Sequence, residues 1–122
     1  MIKAILLVGS GSFIGGAARY FVSTLMKDTG SGFPLGTLTV NLAGCFLIGM
    51  LYGLFARFST TDSSWCLLLT TGLCGGFTTF STFANESLKM LQSGNTWGFI
   101  GYVAVSVVVG VALTALGYMI VK

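Results

Sequence analysis

Four long apolar stretches, set apart by three short polar ones, make up the chain. Residues 2–26, 35–58, 65–91 and 97–121 are each around or above the ~20 residues a helix needs to cross a bilayer. The breaks read KDTGSGFP at 27–34, STTDSS at 59–64 and QSGNT at 92–96. Pro34 is placed to open the second helix, where its missing N–H costs nothing, and the serines of the second break offer N-cap oxygens to the third. The pattern predicts an all-α membrane protein of four transmembrane helices filling one domain, residues 1–122, with no repeat, linker or soluble module.

Composition removes the soluble alternative. With 54% hydrophobic and 7% charged residues in 122, the chain cannot hide its apolar surface from water, and the lipid bilayer becomes its solvent and partner. Trp65 and Trp97 fall just inside predicted helix starts, where an amphipathic ring suits the headgroup layer. Packing between helices explains the same two positions equally well. Lys3 followed by an apolar run imitates a secretory signal, and Gly16-Ala17-Ala18 imitates its cleavage site. Apolar character resumes beyond Arg19, however, and outruns a signal core, so the first span is expected to be retained. Three cysteines, two of them (Cys45 and Cys74) near mid-span, read as small buried packing residues rather than a disulfide framework.

The six basic residues divide three against three across the membrane. Lys3, Arg57 and Lys122 fall toward the side of the N-terminus; Lys27 and Lys89 fall toward the other, with Arg19 in that half of its span. Orientation follows the side richer in Lys and Arg, so this chain carries almost no insertion instruction. Insertion both ways is expected, with an antiparallel homodimer as its product. Gly11 and Gly15, Gly49 and Gly53, and Gly94 and Gly98 are each four apart, the spacing that lets helix backbones approach, although eighteen glycines also make chance pairs.

Enzyme chemistry finds few parts. There is no histidine, and of the carboxylates Asp28, Asp62 and Glu86 two lie in breaks, so one chain assembles neither a carboxylate pair nor a metal cluster. The serines lack a basic partner. Asn85-Glu86-Ser87 matches a glycosylation sequon fortuitously, inside or at the end of a span. Gly9, Gly11 and Gly15 have the wrong spacing and context for a nucleotide loop, and no nucleic-acid partner is expected.

A polar lining remains. Tyr102, Ser106, Gly110 and Thr114 recur every four residues down the last span, and Thr37 and Asn41 share a face of the second. In the third, Thr79, Thr82 and Glu86 occupy one side, Ser81 and Asn85 a neighbouring one, with Phe80 and Phe83 three apart. Taken singly, each hydroxyl is better explained by a bond to its own backbone or a neighbouring helix; Asn41 is costlier to place and stands out more, and an interhelical bond explains a lone membrane Asn about half the time. Together they form a seam. Hydroxyl and amide hydrogens donate and phenyl edges are positive, so Asn41, Phe80, Ser81, Thr82 and Phe83 suit an anion, with Arg19 adding fixed charge. A cation path would show rings of carboxylate or carbonyl oxygen, and the sole membrane carboxylate is Glu86 near a span end.

Gly75-Gly76 predicts a break in the third helix. A helix stopping there exposes carbonyls on one side and amides on the other, attractive to ions of either sign. Backbone carbonyls of Gly75 and Thr78 are candidates to hold a small hard cation, doubled by a symmetry mate in a dimer.

The runs GGAARY at 15–20, TVNLAGCF at 39–46 and above all GLCGGFTTFSTF at 72–83 resemble the Fluc fluoride channels, also called CrcB proteins, and the likeness covers the whole chain. The resemblance implies an antiparallel dual-topology homodimer with two pores, passive and highly selective for fluoride over chloride, exporting fluoride trapped inside after hydrogen fluoride enters. By motif position it implies Phe80 and Phe83 as pore rings and Asn41 as the pore amide. Ser81, Thr82, Tyr102 and Ser106 would join the polar track, and Arg19 and Glu86 would stand at vestibules. Gly75 and Thr78 would give carbonyls to a structural sodium ion at the dimer interface, and a bacterial inner membrane is the expected location.

Two rivals belong to other classes. A small multidrug-resistance-type proton-coupled exporter is also a short four-span dual-topology dimer, but it places a coupling glutamate in its first span, where this chain has Arg19. An assembly subunit without transport explains the glycines and leaves the hydroxyl stripes idle.

Overall fold

The computed structural model describes residues 1–26, 33–60 and 62–121. Helices α1 (Ile2–Leu25), α2 (Leu35–Arg57) and α6 (Thr96–Val121) are continuous. The stretch Ser64–Gln92 is the fourth of the helices long and apolar enough to cross a membrane. It is built in pieces: α3 (Ser64–Leu67), a π-helix (Leu68–Cys74), α4 (Gly75–Phe77) and α5 (Ser81–Gln92). The protein is an all-helical, multi-pass membrane protein. Helix ends agree with the sequence reading to within a residue, apart from the first break, most of which (27–32) lies outside the described residues.

Local chemistry sets these ends. Pro34, with φ −79° and ψ 72°, stands just ahead of α2. Ser63 caps the third span by accepting the Cys66 N–H on its Oγ at 3.1 Å, satisfying one of the orphan amides of a first turn. Gly94 takes φ +84° to close α5, and Asn95 Oδ1 then accepts the Gly98 N–H at 3.0 Å to start α6. The Gly94 and Gly98 pair is therefore a turn and a cap, not the helix-packing pair its spacing predicts. Gly94 needs a left-handed backbone, and a Cβ on Gly98 would collide with the Asn95 side chain.

The other two glycine pairs pack helices. On α1, a Cβ on Gly11 would sit 2.6 Å from the Leu68 carbonyl oxygen, and one on Gly15 would strike the Leu73 carbonyl. The π-helix and α4 answer with Gly72 and Gly76; a Cβ on Gly76 would lie 2.6 Å from the Ser12 carbonyl oxygen. Ser12 Oγ donates to the Gly72 carbonyl across this contact at 3.3 Å. On the other side of the molecule Gly49 and Gly53 admit the backbone of Thr114 and Tyr118, so α2 lies along α6. Close backbone approach of this kind holds helices together where lipid gives no hydrophobic drive.

Burial is inverted relative to a soluble protein. Ile5, Phe13, Phe21, Val108 and Ile120 face outward, while Val40, Cys66, Cys74, Met90 and Tyr102 form the buried centre. Trp65 and Trp97 are 67% and 84% exposed, so within this chain neither is an interhelical packing residue. All three cysteines are free.

Candidate functional site

The regular helix ends at Phe77, with the Thr78 N–H still bonded to the Cys74 carbonyl, and resumes at Ser81. Thr78 is extended, with φ −87° and ψ 162°. The interruption falls two residues beyond the double glycine that drew attention to it, since Gly75 and Gly76 are both helical and Gly76 serves packing against Ser12.

Side chains replace the missing backbone partners. In a continuous α-helix the Thr79 N–H would bond to the Gly75 carbonyl and the Thr82 N–H to the Thr78 carbonyl. Here the Thr79 N–H donates to Asn41 Oδ1 at 2.8 Å, and the Thr82 N–H donates to Thr79 Oγ1 at 3.3 Å. Asn41 Nδ2 returns a bond to the Thr79 carbonyl at 3.0 Å, so this one amide satisfies both backbone groups of Thr79. Arg19 Nε donates to the Gly76 carbonyl at 3.1 Å, bringing a cation from α1 to the C-terminal end of α4, where the helix dipole favours it. The amides that a continuous helix would give to the Gly75 and Thr78 carbonyls are thus bonded elsewhere.

Beside the interruption lies a cavity of about 400 Å³. Asn41, Gly75, Thr78, Phe80, Phe83 and Ser106 all contribute to its wall. Ser106 Oγ is buried with no hydrogen-bond partner among the described residues, an arrangement that costs about 1–3 kcal/mol unless something fills it. The second N–H of Asn41 also remains after its bond to Thr79. Phe80 and Phe83 stand 5.8 Å apart, Phe83 and Tyr102 5.0 Å, and Tyr102 and Phe33 5.5 Å edge to face, so aromatic rings run in file from the surface inward. Phe80 at the outer end is 79% exposed and Tyr102 is fully buried. The Tyr102 hydroxyl donates to Glu86 Oε1 at 3.4 Å.

The sequence-predicted residues therefore divide. Asn41, Phe80, Phe83, Ser106, Gly75 and Thr78 meet at one cavity, with Tyr102 joined through Phe83 and Glu86 through Tyr102. Ser81 and Thr82 lie on the first turn of α5 outside its lining, and Arg19 sits on the Gly76 carbonyl. The lower part of the α6 stripe is packing: Thr114 Oγ1 lies within bonding distance of the Gly110 and Cys45 carbonyls. Thr79, read as one face of a helix, instead precedes α5 and caps it. Ser12 and the π-helix went unread. Gly72 and Gly76, four apart, were the available signal for the contact that Ser12 joins.

Asn41, Ser106 and the Phe80 and Phe83 rings line this cavity, and no carboxylate does among the described residues. Among the described residues no cluster of three His, Cys, Asp or Glu side chains is placed to hold a metal, so a cation here would depend on backbone oxygen. Fold and site together define a multi-pass membrane protein with a cavity among its helices that apolar, hydroxyl and amide side chains line and, among the described residues, no charged one does.

The chain belongs to the CrcB family. The family model described as CrcB-like protein, Camphor Resistance (CrcB), matches residues 6–118. A relative from Leptospira interrogans named fluoride-specific ion channel FluC is 44% identical over 121 residues, covering 98% of this chain and 95% of its own length. Proteins of the same name from Chlorobium phaeobacteroides (44% over 119 residues, 98% and 93%) and, as FluC 1, Yersinia pseudotuberculosis (40% over 122 residues, 100% and 96%) are also similar.

Proposed function

We propose that this chain is a fluoride-selective channel that lets cytoplasmic fluoride leave down its gradient. The observation that carries this reading is the cavity in which a buried, unpartnered Ser106 hydroxyl, an Asn41 N–H and the Phe80 and Phe83 rings converge without any carboxylate. The relatives' names add the ion. A charge at the bilayer centre costs from about 2.5 to more than 10 kcal/mol, so a conducting path shares it among many weak donors and lets none hold it long. Ser81, Thr82 and Tyr102 extend that set, and Arg19 and Glu86 stand toward the vestibules. The protein is a channel, not an enzyme.

The working unit in this reading is an antiparallel homodimer inserted in both orientations in a bacterial inner membrane, with two pores. The even division of basic residues supports it. So does Gly75, which lies in a helix and whose Cβ would meet only the Thr70 carbonyl oxygen, at an ordinary contact distance of 3.9 Å, so this chain's own packing does not require glycine there. The interruption between Phe77 and Ser81 would lie at mid-membrane. The Gly75 and Thr78 carbonyls, whose usual amides bond elsewhere, fit a sodium ion shared with a second copy. Bound there, sodium would supply positive charge to oxygens that lipid cannot solvate.

A proton-coupled multidrug exporter fits less well. α1 carries Arg19 where that mechanism needs a carboxylate, and the relatives are named as channels. Efflux of fluoride, chloride and a lipophilic cation from vesicles holding the purified protein tests the proposal. Fluoride alone should leak, and Phe80→Ile or Asn41→Leu should abolish the leak while the dimer persists. Fluoride retention equal to that of protein-free vesicles would reject the channel.

A further inference from the structure

At the end of the molecule where α1 begins, a separate cavity of about 480 Å³ opens between the starts of α1 and α3 and the last turns of α2. Its volume falls within the roughly 300–1,000 Å³ of small-ligand sites. Lys3 and Asp62 both line it, as do the Met1 end of the chain, Ser63, Ser64 and Tyr52. Lys3 and Asp62 share this cavity without forming an ion pair, among the described residues, with each other or with any other group. Ser63 Oγ already accepts the Cys66 N–H, which leaves its own hydrogen to offer. Leu7 and Leu67 supply an apolar floor. Trp65, one residue into α3, is 67% exposed and marks this level as the headgroup layer.

We infer that this cavity binds the headgroup of a phosphatidylethanolamine. Charges of both signs, Lys3 and the Met1 end against Asp62, line one cavity with Lys3 and Asp62 left unpaired among the described residues, and that suits a ligand carrying both signs itself. A phosphate accepts from Lys3 and the serine hydroxyls, and a primary ammonium donates to Asp62, each as a charge-assisted hydrogen bond. A choline headgroup has the same charges but no N–H to donate, and a glycerol headgroup has no cation for Asp62. The glycerol backbone and first acyl carbons follow the leucine floor toward the hydrocarbon. This inference does not depend on which ion the protein conducts.

Native mass spectrometry of the intact protein released from vesicles of equal phosphatidylethanolamine, phosphatidylcholine and phosphatidylglycerol tests it, with fluoride efflux measured on the same preparations. Wild-type protein should retain phosphatidylethanolamine about fivefold over either competitor, the ratio expected of one favourable headgroup charge contact. Asp62→Asn should erase the preference over phosphatidylcholine, and Lys3→Gln should weaken retention of all three. Both side chains are exposed, so folding should survive, and the protein's mass in the same spectra checks it. Equal retention of the three lipids by wild type, or an undiminished preference in both variants, overturns the inference. It is also overturned if the variants change efflux but not lipid retention, since the cavity is then a mouth of the ion path.

Discussion

Asn41 has a structural task of its own, and the proposed channel asks it to serve transport as well. Its amide takes both backbone groups of Thr79, 38 positions away, and holds the irregular segment in register. Asn41→Leu keeps the volume, removes two hydrogen bonds and leaves the part-buried N–H and C=O of Thr79 unmatched. We expect a loss of about 2–4 kcal/mol in the folded dimer, read as a lower thermal midpoint in detergent. Ser106 is the opposite case. Its oxygen is buried without a partner, so Ser106→Ala should leave the thermal midpoint unchanged or raise it while cutting fluoride efflux about tenfold. A variant that is both stable and fully conducting would show that this hydroxyl never meets the ion.

At the scale of elements, the contact of α1 with the π-helix and α4 is the tightest test of packing. Gly15 and Gly76 each approach opposing backbone, which cannot swing aside as a side chain can. Gly15→Ala and Gly76→Ala should each cost at least ~1–3 kcal/mol, visible as loss of assembled protein on a sizing column. Gly9, on the same helix as Gly15, has nothing within 4 Å of its Cβ position. Gly9→Ala should then be neutral or gain up to about 1 kcal/mol from helix propensity. Equal behaviour of all three variants would mean the close approach of α1 is not what holds this interface. The π-helix matters for the same reason: its wider turn carries Gly72 and Gly76 onto the α1 face while still delivering Thr79 to Asn41.

For the whole molecule, orientation is the property most open to manipulation. Adding two lysines beside Lys3 should bias insertion to one topology, and adding two beside Lys89 should bias it to the other. Under the proposed antiparallel dimer, each biased form alone should fail to conduct, and co-expression of the two should restore fluoride efflux. Activity from one biased form by itself would argue for a parallel assembly or a single working chain.

Much of the architecture was legible in the sequence because membrane insertion reads one-dimensional quantities. Apolar run length, the serines at 59–64, Pro34 and Gly94 are local signals, and their helix ends fall where the amino acids place them. The candidate site was legible as a set of residues in GLCGGFTTFSTF, since glycines and hydroxyls at that density are costly in lipid unless used. Their division of labour was not. Nothing in the spacing of Thr79, Thr82 and Glu86 tells a helical face from a cap, and nothing in Gly75-Gly76 tells a break from a packing notch.

By itself, then, the sequence determined that four helices cross a bilayer, where they begin and end, and which short segment is too polar to be mere span. Each of those follows from the local balance between apolar length and backbone hydrogen bonding. Only the tertiary structure decided that Asn41 would take the Thr79 amide, that Arg19 would take the Gly76 carbonyl, and that Ser106 would be left without a partner. A hydrogen-bonding group in a helix interior chooses among whatever groups folding brings within about 3 Å. Those choices depend on how α1, α2 and α6 close around the interruption, a three-dimensional fact that residue order does not carry.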